Sequence, residues 1–480
     1  MSIPTIPVLR RGVVYRSLDL QDLKQVGDGP AAARLSMANS GLVKRDLLSA
    51  KKARDVLRKY SSKELLAICI RAGEHFLHDT LPVGEENLPQ SPDDYLKSLA
   101  GTSGLPHRLI RMNMNKLHEV FTEMPTIIKG LTRGLNLDVI DKGYGTQAGL
   151  PVSYMPTTDA LGVVLPSNSP AVNALWMPSI VLKIPVILKP GREEPWTPWR
   201  IMQAFVKAGC PREAFSFYPT SHDGGGAIIR RAGRVMMFGD DATVAQYAHD
   251  ERVEVHGSGH SKILIGEDVI ERWPEFLDVL VESVSANSGR SCINTSTIVA
   301  PRYADEIAEA VGKRLQRVQP LPADDENAVL SGFANPAFAD YIDGAIESGL
   351  ETPGARDVMA EERGSDRHIV YDNMHYLKPT IVRCDVDHPL ADREFLFPYA
   401  SVVEVPQAEM LDQIGSTLVA TAITEDAGWV NELLECPKID RLNVGPWPTN
   451  RVKWDQPHEG NLFEFLYKRR SILMTPVHVG

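Results

Sequence analysis

The sequence predicts an α/β protein built on parallel β-sheets that are covered by helices on both faces. Residues 42–135 repeat apolar residues at helical spacing, which indicates a helical front part. After Asp138, short apolar strands such as Ala160–Leu165 and Pro185–Lys189 alternate with helical segments. A second alternating block runs from Ile263 to Leu434. Alternation of strands and helices is typical of parallel sheets.

The helical front part divides into three predicted helices and one connection. The helices are Lys44–Lys59, Lys63–Leu77 and Leu109–Leu135. The stretch Leu81–Gly104 is rich in Pro, Gly, Asp and Ser and is therefore typical of a connection, with room for a short helix at Tyr95–Leu99.

The segments after Asp138 alternate as a parallel sheet requires. The predicted strands are Val152–Met155, Ala160–Leu165, Pro185–Lys189, Phe215–Tyr218 and Val235–Phe238. The predicted helices between and after them are Ala171–Lys183, Trp199–Ala208, His222–Arg231 and Ala242–His249. The last segment, Val452–Gly480, is extended and has no core of its own. We expect it to pack across a partner subunit.

Composition excludes several classes of function. The 480 residues predict two or three domains, and the formal charge of −11 argues against nucleic acid or an anionic membrane as a partner. The five cysteines are odd in number, far apart and without a CxxC pair, so neither a disulfide framework nor a metal site is expected. The first residues lack a signal-peptide core and no run is long enough to span a membrane, which favours a cytoplasmic protein.

Cys292 is the candidate nucleophile. It follows Gly289 in a segment of small and polar residues, where backbone amides can approach the sulfur and hold an oxyanion. Taken alone, such a cysteine is more often a small buried hydrophobe. The interpretation therefore depends on whether other segments supply an oxyanion donor, a cofactor site and a base.

Two predicted strand ends carry candidate site residues, one a hydrogen-bond donor and the other a cation. The turn Pro166-Ser167-Asn168 follows a predicted strand, and Asn168 can either donate to an oxyanion or cap the next helix. Lys189 ends a neighbouring strand, where a lysine can hold a ribose or phosphate, although it can also simply be solvated.

Gly239 and Asp240 form a turn between a strand and a helix. Such a turn can face a pyrophosphate. Asp240 and Asp241 would repel a phosphate placed on the helix start, so a cofactor must lie to one side or contact only the backbone at Gly239.

Two further segments carry acids. Glu254 and His256 precede a glycine turn and are candidate acid–base groups, the alternative being a solvated hinge. Glu394 precedes an aromatic cluster that contains Phe397, where a carboxylate could hold a ribose, the alternative being a buried turn.

Taken in order, these segments resemble the aldehyde dehydrogenase superfamily. Pro-Ser-Asn-Ser-Pro is similar to its Pro-Trp-Asn-x-Pro turn, which implies that Asn168 is the oxyanion donor. Leu-Lys-Pro-Gly resembles the strand whose lysine holds the adenosine ribose, and Ser-Gly-Arg-Ser-Cys resembles Gly-Gln-x-Cys, which implies that Lys189 binds cofactor and Cys292 is the nucleophile. Glu394 falls where Glu-x-Phe-Gly-Pro supplies the carboxylate for the nicotinamide ribose, with Phe397 in place of its glycine.

Departures from the family pattern point toward one branch. Phe-Gly-Asp-Asp-Ala-Thr-Val and Gly-Ser-Gly-His-Ser resemble the acyl-CoA reductases, including the fatty-acyl-CoA reductases of bacterial luminescence, and the CoA-acylating dehydrogenases. Hydrolytic members carry Glu-Leu-Gly-Gly there, and Glu254-Val255-His256-Gly257 preserves that pattern only in part. The base is therefore left open between Glu254 and His256.

The resemblance implies a fold, a reaction and an assembly. The expected fold has two doubly wound parallel-sheet domains and a β-arm for oligomerisation as a homodimer or homotetramer. The expected divisions are 1–139 with 159–262 for the cofactor-binding domain, 263–446 for the catalytic domain, and 140–158 with 447–480 for the arm.

The expected reaction interconverts an aldehyde and an acyl thioester through Cys292, with NADP(H) or NAD(H) as cofactor and coenzyme A as co-substrate. Arg192 lies where the superfamily often has an acid that rejects a 2′-phosphate, which favours NADP(H). Two alternatives stay open. One is a hydrolytic aldehyde dehydrogenase with Glu254 or His256 as base, and the other is a non-catalytic, crystallin-like relative.

Overall fold

The computed structural model describes residues 3–473. The N-terminal part contains β1 (Thr5–Ile6), β2 (Val8–Arg10), β3 (Val13–Tyr15), β4 (Leu20–Lys24), β5 (Ala31–Ser36), α1 (Ser40–Leu47), α2 (Ala50–Leu57), α3 (Ser62–His78), β6 (Leu81–Val83), β7 (Leu88–Gln90), α4 (Pro92–Ser103), α5 (His107–Thr122), α6 (Met124–Leu131) and α7 (Asp138–Lys142).

The middle part follows. It contains β8 (Tyr144–Gln147), β9 (Leu150–Pro156), β10 (Leu161–Val164), the 3₁₀ helix Pro170–Leu175, α8 (Pro178–Val181), β11 (Val186–Lys189), α9 (Trp196–Lys207), the 3₁₀ helix Arg212–Ala214, β12 (Phe215–Phe217), α10 (His222–Arg231), β13 (Arg234–Phe238), α11 (Asp241–Ala245) and β14 (Val253–His256).

The C-terminal part completes the described chain. It contains β15 (Ser261–Ile265), the 3₁₀ helix Ile270–Phe276, α12 (Leu277–Ser285), the 3₁₀ turn Ala286–Gly289, β16 (Thr295–Ala300), α13 (Ala304–Leu315), α14 (Pro336–Leu350), β17 (Ala355–Asp357), α15 (Ala360–Arg363), β18 (His368–Tyr371), β19 (Met374–Leu377), β20 (Thr380–Cys384), β21 (Tyr399–Glu404), α16 (Gln407–Gln413), β22 (Thr417–Ile423), α17 (Ala427–Glu435), β23 (Ile439–Val444), α18 (Leu462–Leu466) and β24 (Tyr467–Arg470).

Prolines and caps explain where the helices differ from the sequence prediction. The expected helix Leu109–Leu135 is divided into α5 and α6, and Pro125, which lacks a backbone N–H, lies in the first turn of α6. Helix α4 is longer than the short helix expected at Tyr95–Leu99. It begins with a capping box between Ser91 and Asp94 and ends at Gly104, which has a left-handed φ of 74°.

The first sheet is doubly wound, as predicted. Its order is β14-β13-β10-β11-β12-β2-β3, and the five strands from β14 to β12 run parallel. Strands β11 and β12 lie on one side of β10, whereas β13 and β14 lie on the other. The strands are therefore added to the sheet in one direction from β10 to β12 and in the opposite direction from β13 to β14. A ligand crevice is expected at the switch point between β10 and β13.

The second sheet is also a covered parallel sheet. Its order is β17-β20-β21-β16-β15-β22-β23, and all strands except the antiparallel edge strand β17 are parallel. Buried clusters lie on both of its faces, one around Phe397 and Trp429 and one around Phe276 and Leu280. Strand β15 spans the expected division at 262/263 and belongs to this second sheet.

A third, antiparallel sheet joins distant parts of the chain. It has the order β24-β9-β8, so Tyr467–Arg470 pairs with Ser153–Pro156. These strands belong to the segments that the sequence assigned to an arm. The prediction that Val452–Gly480 is extended is wrong in part, because helix α18 (Leu462–Leu466) precedes β24. Residues 474–480 of this segment lie outside the described residues. Between residues 3 and 473, no helix is long and apolar enough to cross a membrane.

Candidate active site

A cleft of about 830 Å³ lies between the two large sheets. The carboxyl ends of β10, β13 and β14 form one wall, and the segments that precede β15, β16 and β21 form the other. Nine sequence-predicted site residues line it: Pro166, Ser167, Asn168, Gly239, Asp240, Glu254, His256, Cys292 and Glu394. Lys189, Arg192 and Phe397 do not belong to the lining.

The loop before Cys292 is held in a strained conformation. Asn287, Ser288 and Gly289 have consecutive left-handed φ values of 51°, 60° and 63°. Side chains fix this shape, because Asn113 Nδ2 donates to Asn287 Oδ1 at 2.9 Å and the Ser331 amide donates to Ser288 Oγ at 2.8 Å. A strained and tightly fixed loop is typical of a functional site.

Gly259 sits directly against the cysteine. A methyl group at Gly259 would lie 1.9 Å from the carbonyl oxygen of Cys292, so only glycine fits there. Ser261 Oγ donates to the same carbonyl at 2.8 Å. The glycine turn before β15 and the nucleophile segment before β16 are thereby held together.

The environment of the sulfur favours the protonated thiol. Cys292 packs against Ile293, Leu418 and Val419. Burial raises the pKa of the Cys292 thiol, and the carboxylates of Glu394 and Glu459 raise it further, whereas Lys116 lowers it. Cys292 therefore needs help from a nearby cation or a bound reactant to form a thiolate.

Asn168 lies across the cleft from the nucleophile segment. Its Nδ2 donates to the carbonyl oxygen of Arg290 at 2.9 Å, and its buried Oδ1 has no partner among the described residues. The 3₁₀ helix that follows has Ser169 at its N-cap position and no side-chain cap bond. The amide of Asn168 is therefore directed toward the loop of Cys292, where it can donate to an oxyanion.

The turn after β10 packs closely against the end of β11. A methyl group at Gly191 would lie 2.4 Å from the Pro166 carbonyl oxygen, and the Glu193 amide donates to Ser167 Oγ at 3.2 Å. Lys189 Nζ donates only to the neighbouring Pro190 carbonyl, at 3.2 Å, among described residues. Burial lowers the pKa of Lys189.

The same region has room for a dinucleotide. A methyl group at Gly225 would lie 3.1 Å from Lys189 Cδ, so the start of α10 passes directly over the lysine stem. Gly239 lies on the cleft lining at the switch point of the sheet. Lys189 has no acidic hydrogen-bond partner among the described residues, so a cation beside glycine-lined backbone is free to interact with hydroxyls or phosphates.

Asp240 caps a helix. Its carboxylate accepts from the Thr243 amide at 2.9 Å, and this bond lowers the pKa of Asp240. The carboxylate therefore occupies the N-terminus of α11. The expectation that a cofactor lies beside this helix and not on its start stays a prediction.

Glu394 bridges the turn that touches the nucleophile. Its Oε2 accepts from the amides of Gly259 and His260, each at 2.8 Å. Burial outweighs these bonds and raises the pKa of Glu394 to about 7. The aromatic residue Phe397 is buried behind it, and a methyl group at Gly289 would lie 2.4 Å from the Phe397 carbonyl.

Arg192 is exposed and lies outside the lining of the cleft. The predicted interaction with a 2′-phosphate has no support from its position here. It stays a prediction.

His256 is held between two carboxylates. Its Nδ1 lies 2.5 Å from Glu459 Oε2 and its Nε2 lies 3.2 Å from Glu254 Oε1, while Phe238 stacks on the ring at 4.8 Å. Burial alone lowers the pKa of His256, but the bonds to Glu254 and Glu459 outweigh it and raise the pKa to about 9. The imidazole is therefore protonated at neutral pH. Its hydrogen bonds join His256, Glu254 and Glu459 into one cluster, which we call the His256 group.

Sequence reasoning did not identify several residues of the cleft. Glu459 is separated from His256 by 203 positions, and no local pattern marks it. Lys116 lies in a predicted helix, where lysines are usually exposed to solvent, but in the structure it lines the cleft. Arg290 also lines it and donates to Ser331 Oγ at 2.6 Å.

The comparisons with known proteins agree on one family. The model described as "Aldehyde dehydrogenase family" matches residues 88–452. An aminoacetaldehyde dehydrogenase of Pseudomonas aeruginosa is 24% identical over 347 residues, which cover 67% of this chain and 66% of the relative. A malonate-semialdehyde dehydrogenase of Listeria monocytogenes is 22% identical over 265 residues, which cover 53% of this chain and 52% of the relative. The chain thus spans about half to two thirds of these relatives.

A solved structure matches along nearly the whole chain. It is an indole-3-acetaldehyde dehydrogenase of P. syringae in complex with NAD⁺ and IAA, with a TM-score of 0.78 and 16% identity. The match covers 98% of this chain and 97% of that one. At this identity the likeness establishes the fold.

Proposed function

Because the chain belongs to the aldehyde dehydrogenase family, we propose that it is a nicotinamide-dependent oxidoreductase that interconverts an aldehyde and an acyl thioester. The observation that carries this proposal is the position of Cys292 on one cleft with Asn168 and the His256 group. The cleft combines a nucleophile, an oxyanion donor and acid–base groups.

The chain's own residues suit covalent catalysis. The Cys292 sulfur attacks the carbonyl carbon of the aldehyde, which gives a thiohemiacetal, or that of an acyl-CoA, which expels the CoA thiol. Asn168 Nδ2 exchanges its bond to the Arg290 carbonyl for the developing oxyanion. Lys116 supports the thiolate, since its charge lowers the pKa of Cys292.

A bound nicotinamide dinucleotide supplies the hydride acceptor or donor for this reaction. We assign its ribose and phosphate contacts to Lys189, Gly239 and Glu394. Glu394 would have to exchange one of its bonds to the backbone amides of Gly259 and His260 for a ribose hydroxyl. Glu394 would thereby link cofactor binding to the turn that packs on Cys292.

The acid–base groups favour a thiol over water as acyl acceptor. Water needs a strong, unpaired base, whereas a thiol loses its proton far more readily. In this cleft both Glu254 and Glu459 are hydrogen-bonded to the imidazole of His256, so neither carboxylate is free of a partner to accept a proton from water. This supports coenzyme A as the acceptor.

The second candidate is a hydrolytic dehydrogenase that forms a carboxylic acid. It is favoured by one observation, namely that Glu254 and Glu459 both line the cleft with Cys292. If His256 loses its proton, either carboxylate or the neutral imidazole could accept a proton from water.

Product analysis separates the two candidates. Aldehydes are incubated with NAD⁺ or NADP⁺, with and without coenzyme A, and the products are identified by mass spectrometry while NAD(P)H absorbance is followed. Acyl-CoA formed only with coenzyme A supports the thioester proposal, whereas carboxylic acid formed at the same rate without it contradicts it. A Cys292→Ala variant controls for background turnover and excludes a non-catalytic role when the parent is active.

We also propose that β8, β9 and β24 form an oligomerisation arm. Leu150 and Met155 of β9 are 63% and 40% exposed in the single chain, and such apolar side chains on a small sheet suit a partner surface. Sedimentation velocity is expected to give a homodimer or homotetramer, and a monomer at micromolar concentration would contradict the assignment.

A further inference from the structure

Lys116 is a partly buried cation on the wall of the cleft, without an acidic partner among the described residues. It projects from α5, lines the same cleft as Cys292, and forms no ion pair or hydrogen bond with any residue between 3 and 473. Burial and the charge of Arg441 both lower the pKa of Lys116. Glu119, three residues further along the helix, is exposed and only weakly opposes this effect.

Arg441 adds a second cation behind this wall. It lies on β23 opposite Val419, a residue of β22 that packs against Cys292 and Ile293. Its Nη2 donates to the Arg451 carbonyl, while its buried Nη1 has no partner in the described part of the chain. Arg441 also forms no ion pair with the described residues and does not line the cleft itself. Lys116 and Arg441 are both close enough to Cys292 to interact with its charge, and each is close enough to feel the other.

The other polar groups of this region do not neutralise these charges. The nearby carboxylates of Glu254 and Glu459 are both bound to His256. His458 is buried, and burial together with Arg441 and Lys116 lowers its pKa to about 3, so it is neutral. Two uncompensated cations in a chain of net charge −11 are costly unless an anion joins them.

We infer that the substrate carries a carboxylate in addition to its aldehyde or thioester, and that Lys116 binds this carboxylate with support from Arg441. The inference rests on the proposed function and names its substrate class. Lys116 lies one helical turn from Val120, which also lines the cleft and gives an apolar surface for the carbon chain between the two groups. The substrate is therefore an aldehydo acid.

Alkylation of Cys292 tests the site without turnover. Iodoacetate and iodoacetamide have nearly the same size, but only iodoacetate is anionic. The rate at Cys292 is measured for both reagents by peptide mass spectrometry, which separates it from the other four cysteines. A stronger thiolate speeds both reagents, so a change in their ratio reports the positive charge that the carboxylate of iodoacetate meets beside Cys292.

Two lysine variants are compared in this experiment. We expect Lys116→Met to lower the iodoacetate-to-iodoacetamide ratio about 10- to 100-fold, the usual effect of removing a charged hydrogen-bond donor. Lys129→Met is the matched control, because Lys129 lies on the neighbouring α6, is exposed and does not line the cleft. An unchanged ratio in Lys116→Met would overturn the inference.

Steady-state kinetics extend the test to substrates. ω-Oxo acids of increasing length are compared with their methyl esters, and we expect the free acids to have the higher kcat/KM in the parent and to lose that advantage in Lys116→Met. Equal loss for acids and esters would assign Lys116 to the thiolate alone and refute the inference. A parent that oxidises the esters but does not prefer the acids refutes only this inference, whereas a parent that oxidises neither refutes the proposed function.

Discussion

Removing Glu459 should release the proton of His256 at a lower pH. The interval between the ordinary pKa of 6.5 and the value of about 9 corresponds to about 3 kcal/mol of preferential binding of the proton. Two carboxylates produce this effect against burial, and Glu459 makes the shorter bond, at 2.5 Å. We expect Glu459→Gln to remove roughly half of it and to lower the pKa of His256 by about one.

The measurement is a titration of the protein labelled with ¹³C at the histidine ring. The His256 resonance is assigned by its loss in His256→Gln, and its midpoint is compared in the parent, Glu459→Gln and Glu464→Gln. Glu464 is the matched control, since it lies five positions away, is 53% exposed and pairs with Arg133 at 2.8 Å. Its substitution should leave the midpoint of His256 unchanged.

The sign of the pH dependence follows from the raised pKa. The stabilisation from protonated His256 is fully present below about pH 6.5 and is lost as the pH rises through about 9. The difference in unfolding midpoint between parent and Glu459→Gln should therefore shrink as the pH rises. A parent midpoint near 6.5, or one that Glu459→Gln does not move, would refute the reasoning.

The remaining predictions concern the reaction and the fold. Cys292→Ser should abolish turnover and leave binding of NAD(P)H, measured by fluorescence, unchanged; lost binding would mean a folding defect. Asn168→Ala should lower kcat about 100- to 1,000-fold, as measured by stopped-flow absorbance of hydride transfer. A decrease of less than about tenfold would mean that Asn168 does not stabilise the oxyanion. Arg192→Glu should weaken binding of NADPH about tenfold relative to NADH. If the ratio of the two affinities is the same in the parent and the variant, Arg192 does not contact the 2′-phosphate. Gly191→Ala should lower the melting temperature measured by calorimetry, because its methyl group would lie 2.4 Å from the Pro166 carbonyl oxygen; an unchanged value would mean that the turn can move.

The parallel sheets were predictable because their signal is local. Each strand from β10 to β13 contains a short apolar run between turn residues, and this pattern can be read directly from the sequence. Strand β14, Val253–His256, alternates apolar and polar residues and was not predicted. The predicted helix bounds were wrong where helix caps and prolines determine the residues at which a helix begins or ends. Ser91 and Pro92 start α4 inside a stretch whose composition is typical of a loop.

Part of the candidate site was predictable because its residues lie at strand ends. Asn168 and Gly239 follow the neighbouring parallel strands β10 and β13, so their approach to one edge follows from the topology. Cys292 and Glu394 lie in segments that precede strands, and there the prediction depended on the resemblance to a known family. The role of Arg192 is left open by this reasoning, because it lies near a strand end but is exposed and does not belong to the lining of the cleft. The direction of a side chain cannot be read from its distance to a strand.

The groups that decide between substrates and acyl acceptors come from segments far apart in the chain. Glu459 reaches His256 across 203 positions, and Arg441 approaches Cys292 through the pairing of β23 with β22. Neither contact leaves a mark on the local sequence. The contrast is chemical, because Glu254 and Glu459 are hydrogen-bonded to His256, whereas Lys116 and Arg441 form no ion pair with the described residues. This contrast is the basis for proposing that an anionic substrate group binds on the Lys116 side and that a thiol, which loses its proton more readily than water, takes the acyl chain away.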